Sequence, residues 1–289
     1  MIRQLTIIGV GLIGGSLARA LKQAGHVGEV VGCSRNESHL KQAQELGVID
    51  RYSTDIAAAV QGADVVLVAV PLGAMEACFR AMAGKLAPDT VITDAGSAKA
   101  SVVDAARSAF GELPTGFVPG HPIAGTEQSG VQASFAELFR HRRVILTPLE
   151  NSSHEAVETV REMWQAAGAF VDEMSVEHHD EVLAATSHLP HMLAYGLVDT
   201  LVSMDESEEI FRFAAGGFRD FTRIASSDPV VWRDICLANQ GALLAVLERY
   251  QADLEALTEL VRKDDGEALG ALFRRAKAAR DRFIDQLEE

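Results

Sequence analysis

GVGLIGGS, residues 9–16, decides the fold. It places Gly9, Gly11 and Gly14 in the register GxGxxG. The stretch follows the apolar run LTIIG (5–9) and opens a helical pattern near 12–25. In that setting each glycine has its own task. Gly9 permits a tight turn, Gly11 admits a pyrophosphate to the backbone, and Gly14 lets helix and strand pack closely. The N–H groups of Leu12, Ile13 and Gly14 start the helix without partners inside it. They face the phosphates together with the positive end of the helix dipole. A glycine-rich turn with no ligand is the plainer alternative. The position of the loop, at the C-terminal end of the first strand, argues against it.

Outward from this loop the first half alternates apolar runs with helical stretches. EVVGC (29–33), VVLVAV (65–70) and VITD (91–94) read as strands buried on both faces, with helices near 36–46 and 72–86 between them. Further strands are expected at 117–120, at 143–148 and near AFVDEM (169–174), with a helix at 153–168. The pattern predicts an α/β domain: a Rossmann-type doubly wound parallel sheet over residues 1–175. From Val176 turn signals thin out, and residues 176–289 read as an all-helical domain. Within it Pro229 to Lys263 reads as one long helix. Apolar helices of that length suggest burial against a second copy, so a homodimer through the helical domain is expected.

Bulk properties narrow the function. The chain has 289 residues, 48% apolar and 23% charged, with a net charge of −15. A strongly acidic chain is a poor partner for nucleic acid or an anionic membrane, although a few local arginines can still hold a small anion. Three widely spaced cysteines, Cys33, Cys78 and Cys236, form neither a disulfide framework nor a zinc motif. The opening residues run directly into a strand pattern, without the charged and apolar regions of a secretory leader. These features predict a cytoplasmic protein with no metal site.

The end of the second strand carries the choice of cofactor. An acid there would bind the adenosine ribose hydroxyls. Ser34 and Arg35 stand in its place. No carboxylate repels a 2′-phosphate and Arg35 can pair with one, so NAD or NADP fits, with a tilt toward NADP. Arg35 can equally stack on adenine or point to solvent. Val70 and Pro71, at the end of the 65–70 run, fall where such domains line the cofactor cleft.

Two further loops carry the chemistry. DAGSAK (94–99) and GFVPGHPIAGTEQSG (116–130) lie at strand ends, on the side where open α/β sheets bind ligands. Ser97 offers a hydroxyl. His121 can take a proton near neutral pH. Hydride leaving a carbon that bears a hydroxyl needs a base for that proton.

At this point GVGLIGGS, DAGSAK, GHPIAGTEQSG, TSHLPH and GGFRDFTRIASSDPVVW, in this order, resemble the bacterial prephenate dehydrogenase family, with its arogenate-using and cyclohexadienyl variants. The resemblance covers nearly the whole chain. It implies oxidation and decarboxylation of prephenate to 4-hydroxyphenylpyruvate on the way to tyrosine, or the same chemistry on arogenate. It makes His121 the base and Ser97 its helper at the ring hydroxyl. It makes Arg223 a clamp for a substrate carboxylate, and it brings His191 to the substrate from the helical domain with His188 shaping the same helix. Thr126 and Glu127 would line or gate the substrate end. Lys99 would position cofactor or loop, and Asp220 and Trp232 would support the site.

Plainer readings remain for several of these. His188 and His191 could be core histidines or a metal pair, although no third ligand is paired with them. Pro190 between them should interrupt the helix. Arg219 and Arg223 could form a solvated pair, and Asp220 could simply bridge an arginine. His178 and His179 read as ordinary surface residues. A hydroxyacid or imino-acid reductase would want a lysine base in the second domain, where histidine and arginine stand. A nucleotide-sensing protein would have no use for Ser97, His121, His191 and Arg223 together.

Overall fold

The computed structural model describes residues 1–288, with side-chain surroundings through residue 284. Two compact units divide the chain: Met1–Gln240, and the remainder from Gly241.

The first unit is built on five parallel strands in the order β3-β2-β1-β4-β5. These are β1 (Ile2–Ile8), β2 (Val27–Cys33), β3 (Arg51–Ser53), β4 (Val65–Val68) and β5 (Val91–Asp94). Their apolar runs serve two cores at once. Leu5 and Ile7 of β1, Val30 of β2 and Leu67 of β4 pack on one face with Leu17, Leu21 and Trp164. Ile8, Val31, Val66 and Val68 pack on the other with Phe79, Met82 and Phe117. Double-sided burial is the reason these strands read as continuous rather than alternating. The crossovers are α1 (Leu12–Gln23), α2 (Glu37–Glu45), α3 (Ile56–Ala59) and α4 (Met75–Met82), followed by α5 (Lys99–Phe110) after the last strand. A three-stranded sheet follows: β6 (Gly120–Pro122) antiparallel to β7 (Arg143–Leu146), which is parallel to β8 (Phe170–Glu173). Helix α6 (His154–Ala166) lies between β7 and β8 in the chain.

Three elements of this half go beyond the sequence expectation. β3 is a three-residue edge strand, α3 is a single turn, and α5 is a helix of 12 residues that starts at the end of DAGSAK. The strand expected at 117–120 starts at Gly120, while Phe117 makes only an isolated bridge to Ile92.

Helices α7 (Val176–Leu183) and α8 (Leu189–Val202) are joined by a π-helical turn at Ala184–His188. Ser175 caps α7 by accepting the His178 N–H. Pro190 in the first turn of α8 cannot donate to a carbonyl in the preceding turn, which accounts for the local change of winding. Short helices α9 (Ser207–Arg212) and α10 (Gly216–Thr222) lead to α11 (Pro229–Ala238). The single long helix expected from Pro229 to Lys263 does not form. Asn239 leaves helical geometry at φ −110°, ψ 37°, and a separate helix, α12 (Gln240–Arg262), begins after it.

The second unit holds most of α12 and α13 (Gly266–Glu288), with Asp264 in the left-handed region at the turn between them. Leu244, Leu254, Val261 and Phe273 are exposed on these helices. Among the described residues no single helix is long and apolar enough to cross a membrane.

Candidate active site

The glycine loop opens onto a cleft of about 530 Å³ at the C-terminal edge of the sheet. Gly9 has φ +97°, and a Cβ there would lie 2.3 Å from the Ala69 carbonyl oxygen, so only glycine fits. A Cβ on Gly14 would meet the Gly9 carbonyl at 2.5 Å. That distance records the close packing of α1 on the loop. A Cβ on Gly11 would have nothing within 4 Å, which leaves open space over the start of α1. No side chain caps that helix and no acid sits in its first turn. Its first N–H groups, on Leu12, Ile13 and Gly14, are therefore free for phosphate. The Leu12 and Ile13 side chains turn away and pack on the core.

Gly9, Gly11, Ser34, Arg35, Val70 and Pro71 all line the cleft. His39, Gln42 and Thr54 join Ser34 and Arg35 in the lining and have no motif to announce them. This arrangement fits a dinucleotide: a bare helix start for the pyrophosphate and a polar, acid-free set past β2.

Beyond β5 a buried ion pair fixes two loops at once. The side chains of Asp94 and Lys99 are both fully buried, with Nζ 2.5 Å from Oδ2. Lys99 also donates to the Gly120 carbonyl at 2.7 Å. Asp94 accepts from the N–H groups of Gly96 (2.7 Å) and Gly120 (3.1 Å). The pair thus ties the Ser97 loop to the strand that carries His121. Burial pushes the Lys99 ammonium below its ordinary pKa, and the Asp94 carboxylate opposes that shift.

His121 is buried on β6, and its Nδ1 lies 2.9 Å from Nε2 of His179. His179 in turn places Nδ1 2.8 Å from Oδ1 of Asp180. His179 is fully buried, which overturns its reading as a surface residue; its neighbour His178 is exposed. The reason lies in α5. That helix has no side-chain cap of its own at Ala98. Asp180 supplies one from α7, accepting the N–H of Lys99 at 2.8 Å and of Ala100 at 2.9 Å. Docking α7 on this helix start buries His179 beside His121.

The chain of bonds fixes proton positions. An ionised Asp180 can only accept, so His179 Nδ1 carries the proton and Nε2 is bare. His121 Nδ1 must then donate, which leaves Nε2 of His121 with its lone pair free. Burial raises the Asp180 carboxyl, but the His179 ring and the two backbone N–H groups together hold it below its ordinary value. Burial pushes His121 well below 6.5, and the neighbouring His179 and Lys99 add to that. His179 is also lowered by burial, against the pull of Asp180. At neutral pH the His121 imidazole is uncharged.

The helical side brings further groups. His188 is fully buried, with Nδ1 3.1 Å from Nδ2 of Asn239, and burial lowers it to about 4. His191 donates Nδ1–H to the Ser187 carbonyl at 2.9 Å and stacks on Trp232, with ring centroids 3.4 Å apart. Burial lowers His191 too, and nearby Arg223 adds to this. Arg223 is ion-paired with Glu127, so the loop after His121 and the turn after α10 meet here. The backbone N–H of Glu127 and the Arg223 guanidinium outweigh burial and hold the Glu127 carboxyl below its usual range. Thr126 lies in the same exposed loop, accepting from the Gln128 N–H. Asp220 and Arg219 lie near one another in solvent, away from these contacts. Ser97 is half-buried in the loop before Lys99. The partner of His121 Nδ1 is His179 of α7. Among the described residues no cluster of three or more His, Cys, Asp or Glu could hold a metal ion.

Known proteins match this chain over almost its entire length. Residues 17–173 match the family model for the nucleotide-binding domain of prephenate dehydrogenase, and residues 175–275 match that for its dimerization domain. The cyclohexadienyl dehydrogenase of Zymomonas mobilis subsp. mobilis is 41% identical over 281 residues, covering 96% of this chain and 95% of its own. The prephenate dehydrogenase of Bacillus subtilis is 37% identical, with 96% and 75% covered. A crystal structure of prephenate dehydrogenase from A. aeolicus, in complex with hydroxyphenyl propionate and NAD+, superposes with a TM-score of 0.91 at 36% identity, covering 98% of this chain and 99% of that one. With both of its domains matched and relatives of this similarity along nearly its whole length, the chain belongs to the prephenate dehydrogenase family.

Proposed function

We propose that this protein catalyses the oxidative decarboxylation of prephenate to 4-hydroxyphenylpyruvate, with hydride transfer to NAD(P)+, and that His121 is its base. The observation that carries the reading is the bonded series Asp180–His179–His121, which leaves one bare nitrogen on a buried, neutral imidazole. The bound nicotinamide supplies the hydride acceptor. His121 Nε2 accepts the hydrogen bond of the ring hydroxyl and takes its proton as the C–H electron pair departs. It returns that proton to the same oxygen as the ring-to-carboxylate bond breaks, CO2 leaves and the ring becomes aromatic. No net proton is released. Asp180, acting through His179, steadies the imidazolium formed in between. Ser97 contacts the same hydroxyl. Arg223 holds a substrate carboxylate, leaving Glu127 to do so. His191, with His188 behind it, and Thr126 complete the substrate side.

Two variants test the assignment in an assay of reduced-nicotinamide absorbance. Arg223→Ala should raise KM for prephenate by about 10-fold and leave kcat little changed, as loss of a charge-assisted bond at an exposed site implies. A normal KM removes Arg223 from the clamp. Arg35→Ala should raise KM for NADP+ on the order of 10-fold and leave that for NAD+ nearly unchanged if Arg35 reads the 2′-phosphate. Equal effects on both would mean that Arg35 only packs on the adenosine.

A second reading, arogenate as substrate beside prephenate, is favoured by the 41% identity to a protein named cyclohexadienyl dehydrogenase. The two substrates share the ring that His121 would serve. We place the enzyme in the cytoplasm, in keeping with free thiols at Cys33, Cys78 and Cys236. We read it as a homodimer through its helical part, supported by the match to a dimerization domain and by the exposed apolar residues of α12 and α13.

A further inference from the structure

Asn239 interrupts the helical run of the C-terminal half, and its side chain is buried next to the catalytic histidines. Its Nδ2 lies 2.7 Å from the Asp180 carbonyl oxygen and 3.1 Å from Nδ1 of His188. A carbonyl oxygen only accepts, so the amide nitrogen must face it. One amide proton goes to Asp180, and the second points at His188. Nδ1 of His188 must then be the bare nitrogen, and its proton is forced onto Nε2. A doubly protonated His188 would set N–H against N–H. Nε2 itself is fully buried, and the Ser97 backbone lies beside it. The groups around this ring are Asp180 and His179 on α7, His191 on α8, Trp232 on α11 and the Ser97 loop. The Nε2–H therefore points toward the Ser97 loop.

We propose that Asn239 is a positioning residue for catalysis: its two amide protons hold the main chain of Asp180 and lock His188 as a neutral Nε2–H donor facing the Ser97 loop. The proposal rests on the reading of His121 as the base. Asp180 closes the bonded series behind that base, so a shift of its backbone moves the base. The break at Asn239 then has a purpose. A residue inside a continuous helix would have a side chain directed by that helix, whereas the break frees Asn239 to bond across to α7 and to the π-helical turn before α8.

The test uses the full-length enzyme labelled with 15N-histidine. Long-range 1H–15N correlation spectra distinguish the two neutral imidazole tautomers and the charged form. His188, assigned with His188→Gln, should show the Nε2–H tautomer at pH 7. Asn239→Asp replaces both donors by acceptors. It should move the His188 proton to Nδ1, introduce a new ionisation into the kcat–pH profile near neutrality, and lower kcat on the order of 10-fold. KM for the nicotinamide cofactor should stay within about twofold, since Asn239 is not among the cleft-lining residues. Asn239→Ala should lower kcat as well, without adding the new ionisation. An Nδ1–H or charged His188 in the unsubstituted enzyme would overturn the proposal, and so would wild-type kcat and pH profile in Asn239→Ala. The tautomer is read without turnover. A correct tautomer in a protein inactive on prephenate would therefore sink the functional reading and leave the geometric one standing.

Discussion

Replacing His121 by asparagine should lower kcat by about 10²–10⁴-fold, the usual loss when a general base is removed. Asparagine keeps a polar group on β6 and can still bond to His179, so the fold should persist. It cannot take a proton. Burial, His179 and Lys99 hold the imidazole below its ordinary pKa, so in the unsubstituted enzyme the base stays neutral through the physiological range. Activity should fall only as pH drops through that lowered value, where the ring becomes charged. The His121→Asn variant should lose this acid limb together with the rate. Activity within a few-fold of the original would show that another group accepts the proton.

Replacing Lys99 by methionine should have the largest effect on stability. It leaves Asp94 charged, fully buried and without its counter-ion. Breaking one partner of a buried pair costs about 3–5 kcal/mol. The Gly96 and Gly120 N–H groups still bond to Asp94, which places the expected loss toward the lower end of that range. Urea unfolding of the two proteins measures the difference as a shift in midpoint. Changing Asp94 to asparagine as well should recover part of it, because the stranded charge is then gone. A midpoint unchanged in Lys99→Met would mean that the pair contributes nothing net. That result would also remove the staple between the Ser97 loop and the His121 strand.

The cofactor half of the site was legible because its signals are local. Gly9, Gly11 and Gly14 act through backbone geometry within a few residues, and Ser34 with Arg35 follows from counting along one strand and loop. The double-sided strands are equally plain as unbroken apolar runs. The catalytic half depends on contacts between distant segments. VEHHDEV has the look of a charged surface helix. Only the missing cap on α5, satisfied by Asp180 from 81 residues away, turns its inner edge into the site and buries His179. Asn239 was hidden for a related reason. ANQG offers neither proline nor a strong turn pair, and its role depends on Asp180 and His188, which lie more than 50 residues away in the chain. Lys99, seen in a loop motif, proved to be a core cation because its acceptors Asp94 and Gly120 stand on the buried strands β5 and β6.

The central claim is that a bare nitrogen on His121 drives an oxidation coupled to loss of CO2. The most direct measurement mixes purified enzyme with prephenate or arogenate and with NAD+ or NADP+, and follows reduced nicotinamide and released CO2 together. Turnover is expected with prephenate and at least one of the two cofactors, with the two products appearing in equal amounts. No turnover with any of the four pairs, or reduced nicotinamide formed without CO2, would contradict it.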